Sequence, residues 1–303
     1  LCPISLIHSL SKLASKLMAT RLRPRMGDLV HINQSVFIKG RNIHDNFLLV
    51  RQMARRLHKR KAKGVLLKLD ISRAFDSLSW PFLFEVLRAK GFSERWISWV
   101  ATLLTSASSR VIVNGSAGAK FMHAKGLRQG DSISPLLFVI AMDVLSRIMI
   151  KAANLGVIGK FTGITAHQSV SIYADGVVLF VKPKELDLMF VRSMLNVFGK
   201  ASGLRINYQK SMAIMIHGDN SDSARVESIL QCRLGNFPCK YLGLQLAIKQ
   251  LSRADWQPML DQAKSFALAW QRGLIHRPGR LVLVKVVIAA KPIHHFMVTE
   301  APV

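Results

Sequence analysis

Two aspartates carry the first chemical signal. Asp70 closes a short apolar run, Gly64 to Asp70 (GVLLKLD), and Asp175 stands between two β-branched runs, Ser169 to Tyr173 and Val177 to Val181. Either one alone reads as a turn or cap residue, a common place for Asp. On adjacent strands of one sheet, however, two carboxylates can converge on a divalent cation. Mg²⁺ takes oxygen ligands and is often held by one or two carboxylates together with substrate phosphates. The rest of the chain gives a reason to expect phosphates: 43 Lys and Arg against 17 Asp and Glu leave a formal charge of +26. Such a balance attracts polyanions, either nucleic acid or an anionic membrane face. The cations are also clustered. Between Asp45 and Asp70 lie Arg51, Arg55, Arg56, Lys59, Arg60, Lys61, Lys63 and Lys68 with no acid among them, a solvated helix face or a phosphate-contacting one. A second acid-free stretch runs from Lys264 to Lys291 and holds Arg272, Arg277, Arg280 and Lys285.

The elements that must hold the two aspartates follow from periodicity. Residues 46 to 60 predict a helix and Gly64 to Asp70 a buried strand. Residues 80 to 107 carry apolar positions at helical spacing, broken near Gly91, and Arg110 to Asn114 alternates before Gly115, which predicts a hairpin. Ser134 to Ile150 reads as a buried helix with Ser134 as cap and Pro135 in its first turn. Asp175-Gly176 between β-branched runs is a hairpin signal that puts the acid at the tip. A helix over 184 to 200, a strand over 211 to 216, a short strand pair around Leu242 to Leu246 and helices over 254 to 273 and 279 to 290 complete the order. Strand, helices, hairpin, helix, strand predicts an α+β fold: an antiparallel sheet with helices on one face, as in ferredoxin-like β-α-β-β-α-β units.

Composition closes off other classes. Half the residues are hydrophobic and 20% are charged across 303 residues, which excludes disordered and low-complexity chains. No uncharged run reaches the ~18 apolar residues of a spanning helix, so a soluble chain is expected. Three cysteines, Cys2, Cys232 and Cys239, are too few and odd in number for a disulfide framework and lack partners at zinc-site spacing.

The local strings resemble the reverse transcriptase domain of LINE-type, non-LTR retrotransposons, in the form common in plants. PISL (Pro3 to Leu6) and QSVFIKGRNIHDN (Gln34 to Asn46) are similar to its fingers, and LKLDISRAFDSLSWPFL (Leu67 to Leu83) to its motif A. GLRQGDSISPLLFVIAMDVLS (Gly126 to Ser146) resembles motif B, and SIYADG (Ser171 to Gly176) motif C. SGLRINYQKS (Ser202 to Ser211) resembles motif D, and KYLGLQL (Lys240 to Leu246) the segment before the thumb. The resemblance implies a right-hand polymerase: fingers over 1–65, a palm over 66–238 with an inserted fingers segment at about 77–125, and the start of a helical thumb over 239–303. It implies RNA-directed DNA synthesis by two-metal nucleotidyl transfer, with an RNA template, a DNA primer, dNTPs and two Mg²⁺ ions, for which Mn²⁺ can substitute. Asp70 and Asp175 become the metal ligands. Phe75 is implied as the steric gate against a ribose 2′-hydroxyl, Arg128, Gln129 and Gly130 as nucleotide and template contacts, and Lys210 as proton donor to the leaving pyrophosphate. Arg51, Arg55, Arg56, Lys59, Arg60, Lys61 and Lys63 are candidates for nucleic-acid contact. The family setting implies the nucleus or cytoplasm.

The chain departs from the family pattern at two positions. Motif C usually ends Ala-Asp-Asp, and here Gly176 replaces the second aspartate, leaving two carboxylates where three are expected. Cys2 stands where the family usually carries Arg, a residue suited to a triphosphate. The chain also starts at Leu1 and leaves no room for a preceding endonuclease domain. Together these features predict a truncated copy with impaired synthesis, or a catalytically inactive nucleic-acid-binding relic.

Overall fold

The computed structural model describes residues 8–270, 276–289 and 292–299. Its centre is the strand expected after Gly64. β1 (Gly64–Leu69) is apolar at five of six positions and is covered on both faces, the pattern of a central strand rather than a half-exposed one. β2 (Val170–Tyr173) and β3 (Gly176–Val181) form the hairpin, and β3 pairs antiparallel with β1 in the register Leu67↔Leu179 and Leu69↔Val177. β4 (Met212–Ile216) flanks β1 on its other side, antiparallel, with Leu67↔Ala213. β5 (Arg233–Gly235) then adds a parallel edge, giving the order β2-β3-β1-β4-β5. The first four strands reproduce the expected β-α-β-β-α-β arrangement; the fifth was not signalled.

Alternation along β1 divides the core into two layers. Val65, Leu67 and Leu69 meet the side that carries two long helices, here in chain order with those that precede them: α1 (Ser9–Leu22), α2 (Ile43–Lys59), α3 (Trp80–Ala89), α4 (Glu94–Thr105), α5 (Ser134–Asn154) and α6 (Glu185–Ser202). The two helices under the sheet are α5 and α6, through Phe138, Leu145, Leu188 and Leu195 among others. Because α5 is enclosed, it is apolar around most of its circumference. Leu66 belongs to the opposite layer with Val178, Phe180 and Ile214, which are covered by Phe47, Val50 and Leu57 of α2. The same layer includes Tyr241 and Leu244 of a hairpin formed by β6 (Cys239–Tyr241) and β7 (Leu244–Leu246). Helices on one face alone are therefore not what is found: α2 and this hairpin roof the second face.

Three further differences from the expected elements have local causes. The turn between β2 and β3 consists of Ala174 and Asp175, since Tyr173 already pairs with Gly176, and Ala174 takes the left-handed conformation at φ 54°. Asp-Gly is thus displaced by one residue from the turn centre. At α5, Ile133 is the cap residue and lies in the helical region (φ −88°, ψ −27°), so Ser134 is already inside the helix and its buried hydroxyl has no hydrogen-bond partner among the described residues. The expected pair at Arg110 to Gly115 forms as a small exposed ribbon, Ile112–Val113 against Ser116–Ala117. Helix α7 (Asn220–Leu230) was unsignalled, α8 (Arg253–Trp270) corresponds to the expected helix at 254 to 273, and the second expected helix is split into Arg277–Val282 and Leu283–Ile288. Cys2 and Pro3 to Leu6 lie outside the described residues.

Candidate active site

Asp70 follows the last residue of β1, and Asp175 sits in the turn that leads into β3, the antiparallel neighbour of β1. Both carboxylates are therefore delivered to the same end of the two central strands. Asp70 is half-buried and Asp175 exposed. Continuing the register one step beyond Leu69↔Val177 sets Asp70 opposite Gly176. The backbone of Asp70 is fixed from the other side: its N–H donates to Ser211 Oγ at 3.0 Å, and its carbonyl accepts from Asn207 N–H at 2.8 Å. An isolated bridge between Ile71 and Ile206 extends that attachment. The segment that carries Lys210 thus braces Asp70, while the Lys210 side chain itself is exposed.

Beyond Asp70 the chain crosses to the loop before α5. Leu127 N–H donates to Phe75 O at 2.6 Å, Gly126 N–H to Leu78 O at 2.7 Å, and Trp80 Nε1–H to Gly126 O at 2.7 Å. Gly126 is required for this closure. It has φ +84°, and a Cβ there would stand 2.6 Å from Asp76 O, a collision with backbone in a conformation that other residues rarely adopt. The strap places Phe75 against Phe138, with ring centroids 4.6 Å apart and planes at 18°, so this ring is half-buried and set by the core. It also brings Gln129 within hydrogen-bonding reach of Asp76, Nε2–H donating to Oδ1 at 3.2 Å. Gly130 has φ +97° in the turn that follows. Arg128 is committed differently: its guanidinium donates to Leu103 O and to Ser106 Oγ (3.0 Å), capping the end of α4. A cleft of about 780 Å³ opens here, lined by Asp76, Arg110, Lys125, Arg128 and Gln129 among others.

The basic residues of α2 and its following loop divide into two groups. Arg51 donates to Val298 O, Arg55 to Ile248 O at 2.9 Å, and Arg60 to Thr162 O, while Lys63 pairs with Asp219 and Asp222 at 2.7 and 2.8 Å. These cations tie α2 and its loop to the rest of the chain. Arg56, Lys59 and Lys61 are exposed.

Three features beside the site carried no sequence signal. Asn46 Nδ2 donates to Ser171 Oγ and to Ile172 O, both at 3.0 Å, and Ser171 also shares a 3.2 Å hydrogen bond with the Tyr241 hydroxyl, so a buried polar chain anchors β2 three residues before the turn. Burial pushes the Tyr241 phenol far above its usual range. Asp143 is fully buried in α5 and accepts from Lys90 (2.8 Å), Arg147 (2.6 Å) and His31 N–H (2.7 Å). Burial alone raises its carboxyl, but these donors outweigh it and hold the group below the usual aspartate value. Finally, Ser15 of α1 donates to buried Asp131, directly ahead of α5.

The donor set fits a hard divalent ion: two carboxylates at one strand end are what Mg²⁺ uses when substrate phosphates complete its shell. Among the described residues, no group of three or more His, Cys, Asp and Glu side chains gathers at metal-binding distance. Likewise, no helix among the described residues is long and apolar enough to cross a membrane.

Residues 2–246 match the family model described as reverse transcriptase (RNA-dependent DNA polymerase). The chain is 29% identical over 221 residues to the transposon TX1 uncharacterized 149 kDa protein of Xenopus laevis, covering 70% of this chain and 16% of that protein. It is 28% identical over 288 residues to the Pol polyprotein of the retrotransposable element R2DM of Drosophila melanogaster, covering 88% of this chain and 26% of that protein. The chain thus spans 16% and 26% of the length of these two relatives. Both are animal proteins, so the plant form expected from the strings has no support from them. Among solved structures, telomerase from Candida tropicalis in complex with a TWJ fragment of telomeric RNA superposes with a TM-score of 0.52 at 14% identity, covering 86% of this chain and 42% of that one. That likeness bears on the fold, which is the polymerase fold.

Proposed function

The chain belongs to the reverse transcriptase family, and from that premise we propose that it is the polymerase domain of a non-LTR retrotransposon, built to copy an RNA template onto a DNA primer. The observation that carries the reading is the delivery of Asp70 and Asp175 to one end of paired central strands, next to a strap that presents Phe75 and Gln129. In this reading 1–65 are fingers, 66–238 the palm with 77–125 inserted, and 239–303 the start of the thumb.

In the reaction the primer 3′-hydroxyl gives its proton to water, its oxygen bonds to the α-phosphorus of a dNTP, and the bond to the pyrophosphate oxygen breaks in line. Asp70 and Asp175 would hold Mg²⁺ (or Mn²⁺), which supplies Lewis-acid charge for the attacking and leaving oxygens. Phe75 closes the space beside the sugar; its stacking on Phe138 leaves it little freedom to yield to a 2′-hydroxyl. Gln129 and Gly130 face the nucleotide and template, and Arg128 acts through the cleft wall by holding the end of α4. Lys210, exposed on the braced segment, donates a proton to the departing pyrophosphate. Gly176 leaves the carboxylate set one short, so synthesis by this copy is impaired. The retained cations favour nucleic-acid binding whether or not synthesis survives, which is the second reading, a binding relic. The plant form rests on the motif strings alone.

Iron-directed cleavage tests the site. With a primer–template bound, Fe²⁺ replacing Mg²⁺ and a peroxide source present, radicals formed at the ion should cut the chain near residues 70 and 175, and Asp70→Asn should abolish both cuts. Cleavage elsewhere, unaffected by Asp70→Asn, would remove the basis of the assignment.

A further inference from the structure

Helix α1 has two apolar stripes, and among the described residues only one is packed against the fold. Ser15, Met18, Ala19 and Leu22 point inward, and the Ser15 hydroxyl is bonded to Asp131. At about 100° per residue, Leu10, Leu13 and Leu17 lie on the opposite side, and they are 74%, 67% and 61% exposed. Three leucines in line on an already docked helix form an apolar strip of the kind that marks a contact surface.

Their spacing says what kind. Leu10, Leu13 and Leu17 follow i, i+3, i+7, the a and d positions of a heptad, whose partner is another helix packing knobs into holes. The residues beside this seam set the charge of the partner. In the same frame the flanking e and g positions of the helix include Lys16 and Arg21, with Arg23 one residue beyond its end. Lys12 and Arg25 add to the surrounding charge, all five cations are exposed, and no acid precedes Asp28 in the chain. Charges at e and g choose partners by complementarity. A second copy of this chain would bring like charges together. Nucleic acid would satisfy the cations and leave the leucines wet, and α1 carries no aromatic ring for a base to stack on.

We propose that the outer face of α1 is a docking surface for an acidic amphipathic helix, with apolar residues at a and d and Glu or Asp at e and g. The occupant would clamp α1 from outside. Ser11 of the same helix and His8 before it line the cleft described above, so the surface lies back to back with the site and is separate from it.

The test uses the full chain and a labelled peptide of about three heptads, Leu at a and d and Glu at e and g, followed by fluorescence anisotropy. Saturable binding is expected, weakened about tenfold or more both by the double substitution Leu13→Ser, Leu17→Ser and by a peptide with Gln in place of Glu. Circular dichroism should show the substituted chain folded, since these side chains are exposed. Equal affinity of the substituted chain for the Glu peptide would overturn the proposal, as would no binding at all. A leucine-dependent dimer in sedimentation, or leucine-dependent binding of RNA or phosphatidylserine vesicles in place of the peptide, would equally overturn it by assigning the face to another occupant.

Discussion

The register of the two central strands, continued one step beyond the pair Leu69↔Val177, sets Asp70 across from Gly176. Residues opposite each other in an antiparallel pair project to the same face. A carboxylate at 176 would therefore project to the same face as Asp70, which is where the reading proposed above wants a third acid. The backbone does not forbid one: Gly176 is not in the left-handed region, and a Cβ there would meet Tyr173 O at 3.2 Å, so that carbonyl must give by a few tenths of an ångström.

Gly126→Ala should disconnect the strap without touching either aspartate. The new Cβ collides with Asp76 O, and a non-glycine residue held at such a φ costs about 1–3 kcal/mol. Thermal unfolding should register that loss, and dNTP affinity, read by titration of the bound primer–template, should fall because Phe75 and Gln129 lose their seat. Unchanged nucleotide affinity in a chain destabilised by this amount would separate the strap from substrate binding.

Asp143 and His31 predict the response to acid. Both are held below their ordinary values of 3.8 and 6.5, His31 by burial first and then by the neighbouring His167. For a depressed group the unfolded chain takes up protons first, so its contribution is complete above the ordinary value and is lost as pH falls. Melting temperature should begin to fall below about pH 6.5 and fall again below about pH 3.8. His31→Gln should flatten the upper part. Asp143→Ala should cost about 3–5 kcal/mol at neutral pH, because it leaves the largely covered Lys90 without its carboxylate; a loss below 1 kcal/mol would show that the pocket admits water.

Nucleic-acid affinity should fall steeply with salt, with a slope of about −0.9 per phosphate neutralised on duplex DNA. The contacts of the basic run sharpen this. Arg56→Gln, Lys59→Gln and Lys61→Gln together should reduce the slope with the fold intact, whereas Arg51→Gln, which breaks a tie to Val298, should show itself first in stability. An affinity indifferent to salt would remove the phosphate-contacting role from this face.

How much of this was legible in the sequence depends on where each signal lies. β1 and the β2–β3 hairpin could be read because a central strand is continuously apolar and a hairpin is local. The turn came out one residue early because Ala174, lacking any sequence mark for positive φ, takes the place that Asp-Gly suggested. α1 went unread: its two apolar stripes cancel the one-sided pattern that identifies a surface helix. The ties of Arg51, Arg55 and Arg60 to distant carbonyls are long-range facts, and a cation that staples two segments has the same spelling as one that awaits a phosphate. Asp143 sits within an apolar run, and its partners Lys90 and His31 are far away along the chain.

Primer extension on an RNA template with Mg²⁺, comparing the chain as it stands with Gly176→Asp and Gly176→Ala at equal primer–template occupancy, bears most directly on the polymerase reading. The account predicts little or no incorporation by the unmodified chain and by Gly176→Ala, and template-directed incorporation by Gly176→Asp that vanishes when Asp70 is also changed to Asn. Robust Mg²⁺-dependent synthesis by the unmodified chain would contradict the claim that the third carboxylate limits this copy. Template-directed synthesis that survives Asp70→Asn would contradict the site itself.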